Sequence, residues 1–291
     1  MRKIAIHGRR ISPDSASYVR DIVKIIESNG RKIFVSPEMS AISESKEIFK
    51  NYPHYVPGKD METFEAVFSL GGDGTLLDTL THVGSSQLPI LGINLGRLGF
   101  LAVISRENIR DALTAYFAGQ FTYEDRSLLA LETDVPLFNG KNYALNEFAI
   151  LRKDTSSMIV VKCYLDGEFL NTYWADGLMI ATPTGSTGYS LSCGGPVIMP
   201  NTSNFIITPV SPHNLNVRPL IISEDSELIF RVESSNQSYQ VSLDSRSESI
   251  EDQIEFRIKK APFTSRLIKV EGSSFLDTLR NKLTWGLDKR N

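Results

Sequence analysis

The chain has 291 residues, 41% of them hydrophobic and 22% charged, with a formal charge of -3, the balance of a globular protein with a real core. That length holds one large domain or two of ordinary size, and the lack of a basic tract excludes a general nucleic-acid binder. No run approaches the roughly 18 apolar residues of a membrane helix, and Met1-Arg2-Lys3-Ile4-Ala5-Ile6-His7 is too short an apolar stretch for a secretory signal.

In chain order, Lys3–Ile6 reads as a buried strand. Ser15–Asn29 follows with Val19, Ile22, Val23, Ile25 and Ile26 at helical spacing and Gly30 as a stop. Lys32–Val35 is the next strand, then a polar, Pro-containing stretch runs to about Glu62. Ala66–Leu70 and Leu88–Asn94 are further strands, with a short helix over Thr75–Thr81 between them. Arg106–Ala118 is helical, with Ile109, Leu113, Tyr116 and Phe117 on one face. Strands alternating with helices predict a parallel, Rossmann-like sheet covered on both sides.

From about Phe121 the texture changes to short β-rich runs: Leu128–Thr133, Tyr143–Leu151, Met158–Leu165, Glu168–Tyr173, Gly177–Ala181, Phe205–Pro209, Glu227–Val232, Tyr239–Leu243 and Gln253–Lys259. Asp166-Gly167 is a two-residue hairpin signal. Many short strands without long helices predict a mainly β, sandwich-like domain. Ser273–Trp285 returns to helical periodicity through Phe275, Leu276, Leu279 and Leu283. The expected boundaries are 1–121 for the α/β domain, 122–272 for the β domain and 273–291 for a C-terminal helix packing back on the first. Two cysteines, Cys163 and Cys193, make no CxxC pair and fit a reducing compartment, so the expectation is a soluble cytoplasmic protein. The four histidines, His7, His54, His82 and His213, show no metal-site spacing.

The most informative stretch is Ala66-Val67-Phe68-Ser69-Leu70-Gly71-Gly72-Asp73-Gly74-Thr75. A buried strand delivers the chain to glycines that leave no Cβ to obstruct a phosphate, and a helix starts directly after. The free N–H groups of the turn and the helix start then face one anion, which marks Gly71, Gly72, Gly74 and Thr75 as a phosphate cradle. A carboxylate in that turn repels an anion. Asp73 is therefore a metal link, a base beside the phosphate acceptor, or simply a helix N-cap. The turn matches neither the Walker loop nor GxGxxG. A second glycine-rich stretch, Gly92-Ile93-Asn94-Leu95-Gly96-Arg97-Leu98-Gly99-Phe100, ends the next strand, and in a parallel sheet both turns sit at the carboxyl edge. Further on, Thr182, Thr184, Ser186, Thr187, Tyr189, Ser190 and Ser192 make a hydroxyl-rich loop that Gly185 and Gly188 let bend, suited to ribose hydroxyls and a base edge or to an ordinary polar surface.

GGDGT followed by GINLGRLGF resembles the NAD kinases. Asn146-Glu147 is similar to that family's Asn-Glu pair, Asp176–Pro200 (DGLMIATPTGSTGYSLSCGGPVIMP) to its longest signature, and Thr208–Leu220 to a further block. The likeness spans nearly the whole chain in order. It implies transfer of the ATP γ-phosphoryl group to the 2′-hydroxyl of the adenosine ribose of NAD. Asp176 and Thr187, Gly188, Tyr189, Ser190, Leu191 and Ser192 would contact the dinucleotide together with Asp73 and Gly74, and Asn146 and Glu147 would hold its adenosine end. The β domain would be the dinucleotide-binding one. Asp73 would be the base that takes the hydroxyl proton, worth about 10²–10⁴-fold. A divalent metal, Mg²⁺, would neutralise the triphosphate, with no protein ligand to it readable. A homo-oligomer, dimer or tetramer, is also implied. Trp174 stands where many relatives have a basic residue, and Arg246 where they often have glutamine. A lipid or sugar kinase sharing the GGDG turn and a non-catalytic dinucleotide sensor are the competing readings.

Overall fold

The computed structural model describes residues 2–153, 158–234, 238–251, 253–270 and 274–285. The chain forms two compact units, residues 1–125 with 265–291 and residues 126–264.

In the first unit β1 (Lys3–His7), β2 (Lys32–Val35), β3 (Ala66–Leu70) and β4 (Ile90–Ile93) pair in parallel in the order β2-β1-β3-β4. The apolar runs of β1, β3 and β4 follow from burial on both faces, which parallel sheets require. α1 (Ala16–Ser28) turns Val19, Ile22, Val23 and Ile26 into the core, and Gly30 ends the turn after it at φ +70°. The stretch read as merely polar and Pro-containing holds two short helices, α2 (Pro37–Ala41) and α3 (Ser43–Phe49). α2 carries a local start signal, Pro37 at its first position and the Ser36 Oγ accepting from the Met39 N–H. α4 (Asp73–Val83) begins two residues earlier than the sequence periodicity indicates, inside the glycine turn itself. α5 (Ile109–Phe117) buries Ile109, Leu113 and Tyr116, and β5 (Phe121–Arg126) forms one edge of the sheet.

The second unit is two six-stranded antiparallel sheets. Its strands are β6 (Leu129–Glu132), β7 (Tyr143–Ala144), β8 (Glu147–Arg152), β9 (Ile159–Leu165), β10 (Glu168–Ala175) and β11 (Gly177–Ala181). The short helix α6 (Tyr189–Ser192) comes next, before β12 (Asn204–Val210), β13 (Leu220–Ser223), β14 (Leu228–Ser234), β15 (Tyr239–Leu243), β16 (Arg246–Ile250) and β17 (Glu255–Lys260). One sheet runs β10-β9-β14-β17-β6-β7 and the other β13-β12-β11-β8-β15-β16. Alternate residues of both meet in one core, with Val161, Phe230 and Phe256 from the first and Phe148, Phe205 and Val241 from the second, which is the expected sandwich. Cys163 is part of that core, and burial pushes its thiol up to about 12. Asp166-Gly167 makes the predicted hairpin turn, with φ +50° and +84°.

β18 (Ser265–Val270) then returns to the first sheet, parallel to β4 and next to β5, so the second unit ends at Thr264 rather than at 272. It is not among the strands read from the sequence, and its pairing is what assigns it to the first sheet. α7 (Phe275–Leu283) belongs to the first unit, its Phe275 ring 6.2 Å from that of Phe100. Ser273 and residues 286–291 of the predicted C-terminal segment lie outside the described residues. Among the described residues no helix is long and apolar enough to cross a membrane.

Candidate active site

The sheet order β2-β1-β3-β4 has a topological switch between β1 and β3. From there the chain moves outward to β2 on one side and to β4 on the other. Right-handed crossovers put the two connecting helices on opposite faces, so ligands bind beyond the carboxyl ends of those two strands. The glycine turn sits there. Gly71 N–H donates to the Ile93 carbonyl at 2.9 Å, and a Cβ on Gly71 would overlap the Thr75 hydroxyl. Thr75 and Leu76 N–H both reach back to the Gly72 carbonyl, at 3.0 and 3.2 Å. The remaining N–H groups of the turn, on Asp73 and Gly74, have no acceptor within the helix.

Asp73 is not the N-cap of α4. Gly72 holds that position without a side-chain bond, and Asp73 is the first helical residue. Its carboxylate instead crosses to the second glycine-rich stretch. Oδ2 accepts from Phe100 N–H at 2.7 Å, and Oδ1 from Leu101 N–H at 3.0 Å and Ala102 N–H at 3.1 Å. Gly99 permits that approach, since a Cβ there would overlap the carboxylate, and Gly92 likewise, since its Cβ would stand 2.9 Å from the Ala102 Cα. A carboxylate offers about four lone-pair sites, so three backbone donors orient it and leave one site on Oδ2.

A buried polar network lies behind the turn. His7, at the end of β1 and wholly buried, has Nδ1 2.9 Å from the Ser36 Oγ and Nε2 2.9 Å from the Asp78 Oδ2 on α4. His82, one helical turn further along α4, has Nδ1 2.9 Å from the Tyr55 hydroxyl. Burial raises the Asp78 carboxyl, but the His7 hydrogen bond and the charges of His7 and Arg9 outweigh it and hold it below its usual range. Sequence spacing gave no hint that His7 and His82 come together with Asp78, their candidate ligand atoms within 4.8 Å of one another. The Arg9 guanidinium, 3.6 Å from Asp78, already answers that carboxylate's charge.

In the second unit the Asn-Glu pair and the hydroxyl-rich loop meet. Asn146 precedes β8 and Glu147 opens it. Thr182 N–H donates to the Asn146 carbonyl at 2.9 Å, and Gly185 lies so close to that carbonyl that a Cβ would overlap it. Gly188 faces the pair as well: its Cβ would stand 2.9 Å from the Glu147 Oε2 and 3.6 Å from the Asn146 Nδ2. Among the described residues the buried Glu147 Oε2 has no hydrogen-bond partner. Burial, then the nearby Asp244 carboxylate, push the Glu147 carboxyl up to about 8 against the opposing Tyr189 N–H.

The loop's hydroxyls divide by direction. Thr182, Ser186 and Ser190 are buried: Thr182 donates to the Leu145 carbonyl, Ser186 to those of Pro183 and Ile198, and Ser190 pairs with Thr208 at 2.8 Å. Thr187 is half-buried, its hydroxyl 3.2 Å from the Thr184 carbonyl, while Tyr189 and Ser192 are exposed and Leu191 is half-buried. Asp176, between β10 and β11, pairs with Arg152 at 3.1 Å. The exposed Trp174 accepts at its carbonyl from His213 N–H, 2.8 Å away.

Two contributors escaped the sequence reading. Gly99 is one, although it lies in the second glycine stretch. Asp244 is the other, in the β15–β16 turn at φ +53°, two residues before Arg246. The Asp244 carboxylate accepts from the N–H groups of Leu145, Asn146 and Glu147 at 3.0, 2.7 and 3.3 Å, and its own N–H donates to the Glu147 carbonyl.

Residues 4–121 match the family model of the ATP-NAD kinase N-terminal domain and residues 145–270 that of the C-terminal domain. The chain is 43% identical over 289 residues to the NAD kinase of Cytophaga hutchinsonii, covering 99% of both, and 44% identical over 293 residues to that of Flavobacterium psychrophilum, covering 99% and 100%. Its fold is similar to that of an NAD kinase from Archaeoglobus fulgidus in complex with ATP (TM-score 0.77, 25% identity, 97% of this chain and 98% of that one). It is also similar to that of yeast NADH kinase complexed with NADH (TM-score 0.83, 22% identity, 99% and 89%). With both domain models matched in order and relatives aligned end to end, this chain belongs to the NAD kinase family and is a phosphotransferase of that kind.

Proposed function

We propose that Asp73 is the general base of this NAD kinase, accepting the proton of the adenosine ribose 2′-hydroxyl as that oxygen attacks the γ-phosphorus of ATP. The observation that carries this reading is the fixed carboxylate at the switch point. Three backbone donors aim it, one acceptor site on Oδ2 remains, and the glycine turn carrying it exposes N–H groups to a phosphate. In the transfer the O–H bond breaks toward Asp73, the new O–P bond forms in line, and ADP leaves with its bridging oxygen. The triphosphate enters with its divalent cation, Mg²⁺, as part of the substrate. A weak sugar nucleophile gains about 10²–10⁴-fold from such a base.

Gly71, Gly72, Gly74 and Thr75 cradle phosphate in this reading. Asn146 and Glu147 take the adenosine end of NAD, and Asp176, Thr187, Gly188, Tyr189, Leu191 and Ser192 line its path. Ser190, buried against Thr208, acts through its backbone. A cytoplasmic homo-oligomer, dimer or tetramer, is the expected working form.

The deciding experiment is a coupled assay for NADP formation by the purified protein, with NAD and NADH as acceptors and ATP and polyphosphate as donors. Metal-dependent NADP formation supports the reading, and saturable NAD binding without any phosphorylated product overturns it.

A further inference from the structure

Arg9 follows the carboxyl end of β1, the strand on one side of the switch point. β1 and β3 pair as far as His7 opposite Ser69, and Gly8-Arg9 leaves β1 directly after that pair as Leu70-Gly71 follows it on β3. The packing agrees with this placement, since a Cβ on Gly8 would stand 2.9 Å from the Leu70 carbonyl oxygen. The segment Gly8-Arg9 is thus one lip of the switch point, and the glycine turn is the other.

The position has an electrostatic need. Asp73 and Asp78 both bring carboxylates to this region, the chain carries a net charge of -3, and a nucleotide adds several more negative charges. Helix-start N–H groups meet part of that, as partial charges only. Among the nearby arginines, Arg106 is committed, its Nη1 2.6 Å from Asp14 and its Nε on the Leu95 carbonyl. Arg97 follows β4, one strand away from the switch.

Arg9 is 55% exposed on its side chain, and its Nε edge faces the Asp78 Oδ2 at 3.6 Å. Among the described residues its guanidinium makes no hydrogen bond. Asp78 is itself held at 2.9 Å by the wholly buried His7, which Ser36 fixes on the other side. An exposed arginine ordinarily loses side-chain entropy when it is ordered for a ligand. Here the Asp78 carboxylate, itself fixed by His7, lies against its Nε edge, and a planar guanidinium fork suits bidentate phosphate contact.

We infer that Arg9, steered by the Ser36-His7-Asp78 relay, is a substrate-binding residue that takes the phosphate chain of a nucleotide at the β1–β3 switch point. This rests on the kinase reading above. Both substrates carry such a chain, the triphosphate of ATP and the pyrophosphate of NAD, and the chemistry of recognition is the same. Asp78 is a positioning residue that acts through Arg9.

The test is steady-state kinetics of the full chain with each substrate varied at saturation of the other. Arg9→Ala is expected to raise one KM by about 10-fold or more with a much smaller change in kcat, and Arg9→Lys to recover part of the loss. A rise for ATP alone assigns the guanidinium to the donor, and a rise for NAD alone assigns it to the dinucleotide. Asp78→Asn is expected to raise the same KM, and in Arg9→Ala that KM loses much of its dependence on salt. The neighbouring Arg10→Ala is the matched loss of charge and is expected to leave both KM values within about twofold. If the unaltered chain forms no NADP, the kinase reading itself fails. If it forms NADP and Arg9→Ala leaves both KM values unchanged, or Arg10→Ala does the same as Arg9→Ala, only the inference about Arg9 is overturned.

Discussion

Gly99 lies flush against the Asp73 carboxylate, so that any side chain at position 99 would occupy the space the carboxylate fills. The next three residues, Phe100, Leu101 and Ala102, are those whose N–H groups hold that carboxylate. The two glycine-rich stretches are therefore parts of one device: the first supplies the acid, the second grips it. Gly99→Ala tests this without touching a charge. The residue has no left-handed φ, so strain in the backbone is not the issue. Alanine is expected to displace the carboxylate and lower kcat about 100-fold with the fold retained, as misplacement by about an ångström does. Circular dichroism with NADP-formation kinetics would check it, and a Gly99→Ala enzyme of ordinary kcat would show that the grip is not needed.

Asp73→Asn probes the base itself. The amide keeps the shape but cannot take the proton, and kcat is expected to fall by about 100-fold or more. With a nitrogen in place of Oδ2, one donor would face the Phe100 N–H, so a modest loss of about 1–3 kcal/mol is also expected. NAD affinity, measured by calorimetry, should stay within about threefold. Near-ordinary turnover would remove Asp73 from the mechanism.

Much of this was legible in sequence because the deciding signals are local. The strand-turn-helix over Ala66–Val83, the hairpin at Asp166-Gly167 and the alternating strands of the β unit each carry their own pattern. The family likeness rested on GGDGT and the long second-domain signature. What escaped was set by partners distant in the chain. What holds the Asp73 carboxylate is unreadable until Phe100–Ala102 are brought to it. Ser265–Val270 falls within the expected β-domain bounds and yet joins the first sheet. Thr182, Ser186 and Ser190 read as ligand hydroxyls or as a polar surface, and their neighbours Leu145, Ile198 and Thr208 take those side chains inward. Asp244 looks like an ordinary turn residue until three N–H groups converge on it.

Glu147 gives a pH signature. Its folded carboxyl is raised from 4.5 to about 8 by burial first and Asp244 second. The folded protein therefore binds this proton more tightly than the unfolded chain. The stability it contributes is full below about pH 4.5 and is lost as pH rises through about 8. At neutral pH the protonated acid can donate a hydrogen bond from the otherwise unpartnered Oε2. NAD affinity is expected to weaken above about pH 8 for the unaltered protein, and Glu147→Gln, a permanent neutral donor, to flatten both profiles. Titrating the thermal midpoint and the NAD Kd across pH 6–9.5 would check it. An unaltered protein whose slope matches that of Glu147→Gln would place the titration elsewhere.

Asp244 and Arg246 share a turn but are expected to separate in function. Asp244 holds the backbone of Leu145, Asn146 and Glu147. Arg246 donates to the carbonyls of Lys141 and Tyr143 and lies 5.8 and 5.7 Å from the Phe138 and Tyr143 rings. Asp244→Ala strips the acceptor from three N–H groups and should cost about 2–4 kcal/mol. It should also free the Asn-Glu pair and raise the KM for NAD about 10-fold, with kcat largely kept. Arg246→Gln removes the guanidinium donors to the Lys141 and Tyr143 carbonyls. It should lower the thermal midpoint and leave the KM for NAD within about twofold. Calorimetry with NAD kinetics on both variants decides the matter. If Arg246→Gln weakens NAD as much as Asp244→Ala does, the whole turn acts as one support and Asp244 has no separate hold on the dinucleotide.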